Sequence, residues 1–283
     1  MTSRVFIFLV SFLFLAIAPL QAKRFFVSKW LQSFHETQNL EDFDKALIVW
    51  RVRETMEDPE ARQPVIGFLA YLFANHPETI PQALGDDASK LTAGQKVTFA
   101  KALLRAGTNS AEIALRSIGY AELLEKPAPI PISQLKVSQA AEMDLCWGYY
   151  FASGDVAAVK PVVDVLALTT FAEDASKFQD LLKLANEADA RAEIAGQEGN
   201  EREVDKQLLA AKKAREEAVA SSFYEGATKF AMFERAQWSL ALHAEKNPKL
   251  LDFLDSLAKS PDTPQAVADQ LRPLVRRLSP DGS

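Results

Sequence analysis

From Ser28 onward the apolar residues recur at steps of three and four, and no run alternates apolar with polar side chains as a half-buried strand would. Such a chain has to bury helix faces against other helix faces, so the expected fold class is all-α. Phe43, Leu47 and Trp50 share one face within Leu40–Met56, and Asp58-Pro59 then reads as an N-cap followed by proline at the first helical position. Pro64–Ala74 is apolar almost all round, which implies a helix covered on most sides. Asn75-His76-Pro77 stops it, because proline cannot continue the preceding turn.

The same grammar repeats. Phe99–Ala106 closes on Gly107-Thr108-Asn109, Leu145–Ala152 on Ser153-Gly154-Asp155, and Trp238–Ala244 on Lys246-Asn247-Pro248. Glycine and asparagine tolerate the left-handed backbone of a helix C-cap, and Asp155 and Asn247 are placed to cap the helix that follows. Helix, short turn, helix is the recurring unit, and stacked helical hairpins follow. The turns near 75, 107, 154 and 247 are unevenly spaced, which leaves two architectures, an α-solenoid-like stack and an irregular helical bundle. Pro127-Ala128-Pro129-Ile130-Pro131 must be extended, since each proline fixes φ and biases the residue before it away from helix. The Pro-rich connection 127–132 therefore joins an N-terminal helical layer, 23–126, to a C-terminal layer, 133–283.

Residues 172–221 differ in composition, with 12 acids and 8 bases among 50 residues. Leu181, Leu182, Ala185, Ala188 and Ala192 form one thin apolar stripe, and Val204, Leu208 and Ala211 form another, separated by Gly196-Gln197-Glu198-Gly199-Asn200. The pattern predicts a charged helical hairpin with narrow seams and arms of about 30 Å. Glu187 with Arg191, and Glu198 with Arg202, have the spacing of helical ion pairs. The hairpin is either a solvated surface element or an arm for a partner or for coiled-coil self-association. Excision of 170–222 is expected to leave the rest folded.

At the other end, Arg4 and the amino terminus precede an apolar run from Val5 to Ala18, broken only by Ser11. The run is too short to cross a bilayer core of ~30 Å unaided, and Pro19 and Leu20-Gln21-Ala22 resemble a cleavage site, so 1–22 reads as a signal peptide. Leu20 is large for its position and Lys23-Arg24 follow the cut, so an uncleaved anchor in the inner membrane is the alternative. Either way the expected location is the periplasm, the exterior or the envelope. The single cysteine excludes an internal disulfide framework, and a net charge of −6 offers no general attraction to nucleic acid.

Signatures of chemistry are sparse. His35, His76 and His243 include no pair at metal-binding spacing, and there is no HExxH, G-x-S-x-G or phosphate-binding glycine loop. No catalytic, cofactor-binding or metal-ligating residue is assigned, and no cofactor is expected. Cys146, between Leu145 and Trp147, reads as a buried, inert thiol. The densest aromatic cluster, Trp147, Tyr149, Tyr150 and Phe151, runs into Asp155, and Trp238 and His243 recur beside another turn. Core packing is one reading of these residues. The other makes Trp147, Tyr149, Tyr150, Asp155, Trp238 and His243 candidate interaction residues, since tyrosine and tryptophan suit interfaces.

Three stretches carry a family resemblance: Pro59-Glu60-Ala61-Arg62-Gln63-Pro64-Val65-Ile66-Gly67-Phe68-Leu69-Ala70, Asp144-Leu145-Cys146-Trp147-Gly148-Tyr149-Tyr150-Phe151-Ala152-Ser153-Gly154-Asp155, and Ala236-Gln237-Trp238-Ser239-Leu240-Ala241-Leu242-His243-Ala244. They resemble a family of uncharacterised exported proteins of Gram-negative bacteria, some of which bear a translation-initiation-factor label at odds with their signal peptides. The resemblance implies an all-helical exported protein and transfers no activity; the charged hairpin looks like an addition to the family pattern. The functional expectation is binding of another macromolecule, most simply a protein, in the periplasm or envelope. Membrane attachment is expected only through an uncleaved N-terminus, and the charged hairpin is a candidate route to a homo-oligomer. An envelope hydrolase using paired carboxylates and a small-ligand or lipid binder are the alternatives.

Overall fold

The computed structural model describes residues 25–279, so the signal-like segment 1–22 lies outside the described residues. Within them all regular structure is helical: α1 (Val27–Thr37), α2 (Phe43–Val52), α3 (Gln63–Asn75), α4 (Thr79–Leu84), α5 (Ala93–Ala106), α6 (Asn109–Ser117), α7 (Ala140–Ser153), α8 (Lys160–Asp164), α9 (Ala172–Gln197), α10 (Glu201–Ala220), α11 (Phe223–Ala244), α12 (Pro248–Lys259) and α13 (Gln265–Leu278), with short 3₁₀ turns between some of them. The protein is all-α.

Helix α3 is the hub. Its apolar residues Val65, Ile66, Phe68, Leu69, Leu72 and Phe73 are all buried, as an all-round apolar helix requires. One flank packs on α7 and the other on α5. The α3–α7 approach is close enough for backbones to touch, because glycines meet there. A Cβ at Gly67 would overlap the carbonyl oxygen of Leu145, and a Cβ at Gly148 would overlap that of Pro64. These two glycines lie in the stretches 59–70 and 144–155, which gives those stretches a packing meaning. Beside the crossing, Phe68 meets Phe34, Trp30 and Trp50 with ring centroids 5.0, 5.2 and 6.0 Å apart. Truncating one such buried ring to alanine typically costs about 3–5 kcal/mol.

Helix α1 packs on α7, far along the chain, and α13 packs back on the 3₁₀ segment Val165–Phe171. Such contacts between distant segments describe an irregular bundle better than a stack in which each repeat touches its neighbours. One continuous buried cluster runs from Trp30 to Val275 and draws on both sides of the Pro-rich connection. The two sequence layers thus share a core. Residues 127–131 carry no helix, and a 3₁₀ turn over Ile132–Gln134 then anchors buried Ile132.

Several turns have the expected chemistry. Gly107 and Gly154 cap α5 and α7 with φ of 63° and 67°, Asn247 Oδ1 accepts from the Leu250 amide at 3.1 Å, and Asp155 Oδ1 accepts from the Ala157 amide at 2.9 Å. Two expectations change. Asp58 does not start a helix: its Oδ1 takes the amides of Glu60 and Ala61 at 2.7 and 3.0 Å and closes a free-standing turn, and α3 begins at Gln63. At the end of α3, His76 has φ −130° rather than a left-handed cap, because Pro77 restricts the residue before it to extended conformations.

The charged hairpin is α9 and α10, and its seam is made of alanine. Ala185, Ala188, Ala192 and Ala195 are buried on α9, with Ala211 and Ala218 on α10, and none belongs to the main core cluster. With seam residues this small the arms lie close, so Leu208, read from sequence as a seam residue, is left 50% exposed on the rim. The Glu187–Arg191 pair forms at 3.3 Å. Glu198 and Arg202 do not pair, because Gly199, at φ 72°, breaks the helix between them. Arg215 instead bridges to Asp189 across the two arms. The first turns of α9 are not free: Phe178 packs on Tyr224 of α11 at 5.7 Å, and Gly226 of α11 lies against Asp174. Excision of all of 170–222 would therefore uncover α11, and only the distal part of the hairpin is separable.

Candidate functional site

Helix α7 carries three of the six candidate residues, and its circumference divides them. Trp147 and Tyr150 point inward and are buried. His243, at the end of α11, packs its ring 4.3 Å from Trp147 and 5.0 Å from Phe151, while His35 of α1 lies 5.8 Å from Tyr150. Burial pushes His243 down to about 4, with the charge of Lys246 acting the same way, so the imidazole is neutral at pH 7. His35 is also lowered, mainly by burial and further by Lys249, against the opposing pull of Glu36. Burial raises the Tyr150 phenol to about 12. The crevice bounded by His35, Glu36, Tyr150 and His243 measures about 60 Å³, room for two waters and no organic ligand. Here three candidate residues form a packed junction between α1, α7 and the α11–α12 turn.

Tyr149 and Asp155 meet on the other flank. There the proline strap borders a half-open groove of about 270 Å³, lined by Arg105, Tyr149 and the exposed Ser133 and Asp155, with apolar walls from the strap and Ala70 and Ala158. Arg105 Nη1 donates to the Ile130 carbonyl at 3.3 Å, which ties the strap to α5. Partial burial lowers the Arg105 pKa from its ordinary value, with Cys146 and Glu142 opposing the shift. Tyr149 is raised, first by burial and then by the nearby Asp155 and Tyr71. Tyr71 supports the Tyr149 ring edge-on at 5.7 Å. Arg105 and Ser133 were not legible as site residues, because only the path of the strap brings them beside α7.

Trp238 joins neither group. It is 66% exposed on α11, one turn beyond Arg235, whose guanidinium pairs with Asp144 of α7 at 2.6 Å. Trp238 and His243 point to different sides, as their five-residue separation requires. Cys146 is fully buried and its thiol is pushed up to about 12, chiefly by burial, which leaves it without nucleophilic character at neutral pH. Among the described residues no three His, Cys, Asp or Glu side chains converge as metal ligands, and no helix is long and apolar enough to cross a membrane.

The α9–α10 hairpin is the other feature with unassigned surface. Helix α10 packs on α9 and meets α11 only lightly, and its outer faces carry mixed charge. Comparison with known proteins adds no assignment: no family model matches the chain, and no curated protein or solved structure matches it.

Proposed function

We propose that this is an exported helical protein that binds another macromolecule, most simply a protein, in the periplasm or at the cell envelope, and that the distal α9–α10 hairpin is the contact arm. One observation carries this reading. The hairpin is held by its own alanine seam, outside the main core, so ordering it costs conformational entropy without adding to the buried cluster that stabilises the fold. At about 39 Å for the 26-residue α9 and 30 Å for the 20-residue α10, it offers a long two-helix surface of mixed charge with Leu184, Ile194, Leu208 and Leu209 exposed along it. Interfaces that combine scattered apolar anchors with a charged surround are typical of non-obligate complexes. The signal-like N-terminus and the family resemblance support the envelope as the location.

The test is cross-linking in intact Gram-negative cells, comparing the full chain with a variant lacking 190–212 in which a short glycine-serine turn rejoins the arms. The cut leaves the first turns of α9 on α11. Capture of one defined envelope protein by the full chain, lost with the distal hairpin, is the expected result. Equal capture by both chains would remove the hairpin from the function, and N-terminal sequencing of the recovered protein checks cleavage after Ala22.

A further inference from the structure

We propose that the groove beside the proline strap binds a small zwitterion, an α-amino acid or a dipeptide, with its carboxylate on Arg105 and its ammonium on Asp155. The inference is independent of the hairpin reading, since no hairpin residue lines the groove.

Glu142 is the carboxylate whose charge acts on Arg105, but Arg105 and Asp155, which is exposed, line the same half-open groove and form no ion pair with each other. Each is fixed by backbone. Arg105 is held by the Ile130 carbonyl at 3.3 Å, and Asp155 by the Ala157 amide at 2.9 Å through Oδ1 alone, which leaves Oδ2 free. A bound carboxylate and ammonium would satisfy both groups with charge-assisted hydrogen bonds, the strong kind. The partial desolvation of Arg105 strengthens such a bond relative to a fully hydrated surface arginine.

The remaining lining fits the same ligand. Tyr149 and the exposed Ser133 line the same groove, and their hydroxyls, which take no hydrogen-bond partner among the described residues, can serve the second carboxylate oxygen or a peptide amide. Pro129, Ile130, Pro131 and Ile132 supply apolar wall for the body of the ligand. The volume of about 270 Å³ corresponds to roughly nine waters at ~30 Å³ each, the scale of one medium-sized amino acid or a small dipeptide. Two prolines, Pro129 and Pro131, stiffen the wall, so little ordering is left to be done on binding.

The experiment is isothermal titration of the purified full chain with the common L-amino acids, glycyl-leucine and leucyl-glycine. N-acetyl-leucine and leucinamide serve as single-charge controls, and the methyl NMR signals of Ile130 and Ile132 report location. A zwitterion is expected to bind and shift those methyls, and each control to bind at least about tenfold more weakly. The amino-acid and dipeptide arms separate the two sources of the same chemistry. Arg105→Gln and Asp155→Asn should each weaken binding about tenfold or more, and Asp155→Asn keeps an oxygen for the Ala157 amide, so the turn survives. In Asp155→Asn the difference between leucine and N-acetyl-leucine should disappear. Tyr149→Phe, which keeps the packing, gives a second, milder loss. Absence of any zwitterion binding at 10 mM, on the order of the weakest useful affinity, overturns the proposal. So does equal binding of N-acetyl-leucine, or unchanged affinity in Arg105→Gln and Asp155→Asn.

Discussion

The α3–α7 crossing and the α9–α10 hairpin are both helix pairs packed through small residues, yet they do different things for the molecule. At the crossing, Gly67 and Gly148 bring backbones into contact, and the large rings of Phe68, Trp147 and Tyr150 fill the space around the contact. In the hairpin, alanines are the only fully buried side chains, Leu181, Leu182 and Val204 are half-buried beside them, and most of the remaining surface is exposed or charged. Close approach is therefore not what gives a helix pair its weight in the fold. The apolar volume gathered around the contact does, since burial stabilises in proportion to area. The crossing is the foundation of the core, and the hairpin is an appendage with local cohesion.

The largest effect is expected from putting a side chain into the crossing. Gly148→Val would drive a branched side chain into the Pro64 carbonyl, and a loss of at least about 3 kcal/mol, or no cooperative thermal transition, is expected. Gly148→Ala with an unchanged Tm would show that the backbones do not touch.

Acid probes the core side of the comparison next. His243 is lowered to about 4 in the folded protein, against about 6.5 when unfolded. The unfolded chain therefore binds more protons between these values, and stability contributed by neutral His243 is intact above pH 6.5 and falls as pH drops towards 4. The expected loss is on the order of 2 kcal/mol by pH 4, measured by denaturant unfolding. His243→Phe should flatten that part of the profile. Hydrogen exchange should show the acid loss in α7 and α11, not in the distal hairpin.

The hairpin should answer to local changes of smaller size. Gly196 lies inside α9 with only Val204 near a prospective Cβ, at 3.7 Å, so Gly196→Ala should stabilise the distal turns by about 0.5–1 kcal/mol through helix propensity. Slower amide exchange around residues 190–205 would be the readout, with little change in the global Tm. A slower exchange in α3 as well would mean that hairpin and core unfold as one unit. Smallest of all, Arg215→Ala removes the exposed bridge to Asp189 and should cost no more than about 0.5 kcal/mol.

Much of the local structure was legible in the chain. The breadth of the apolar face marked α3 as central, glycine and asparagine marked the ends of α5, α7 and α11, and the charge change marked the limits of α9 and α10 almost to the residue. The failures were local competitions. Asp58 used its carboxylate on a turn instead of a helix, and Gly199 separated a charge pair that spacing alone would have joined. The candidate set on α7 was legible as residues and illegible as a site. A helix carrying Trp147, Tyr149 and Tyr150 in four positions must point them to different neighbours, and periodicity does not name the neighbours.

The all-α class, the helix ends and the charged hairpin follow from local chemistry, because they depend on hydrogen bonds and side-chain spacing within a few residues. Packing across the chain is what brings His35 and His243 to one junction, α3 and α7 backbone to backbone, and Arg105, Tyr149 and Asp155 to one groove. Those juxtapositions join segments far apart in the chain. They are set by how helices of fixed shape fit around a common core, which no local pattern encodes.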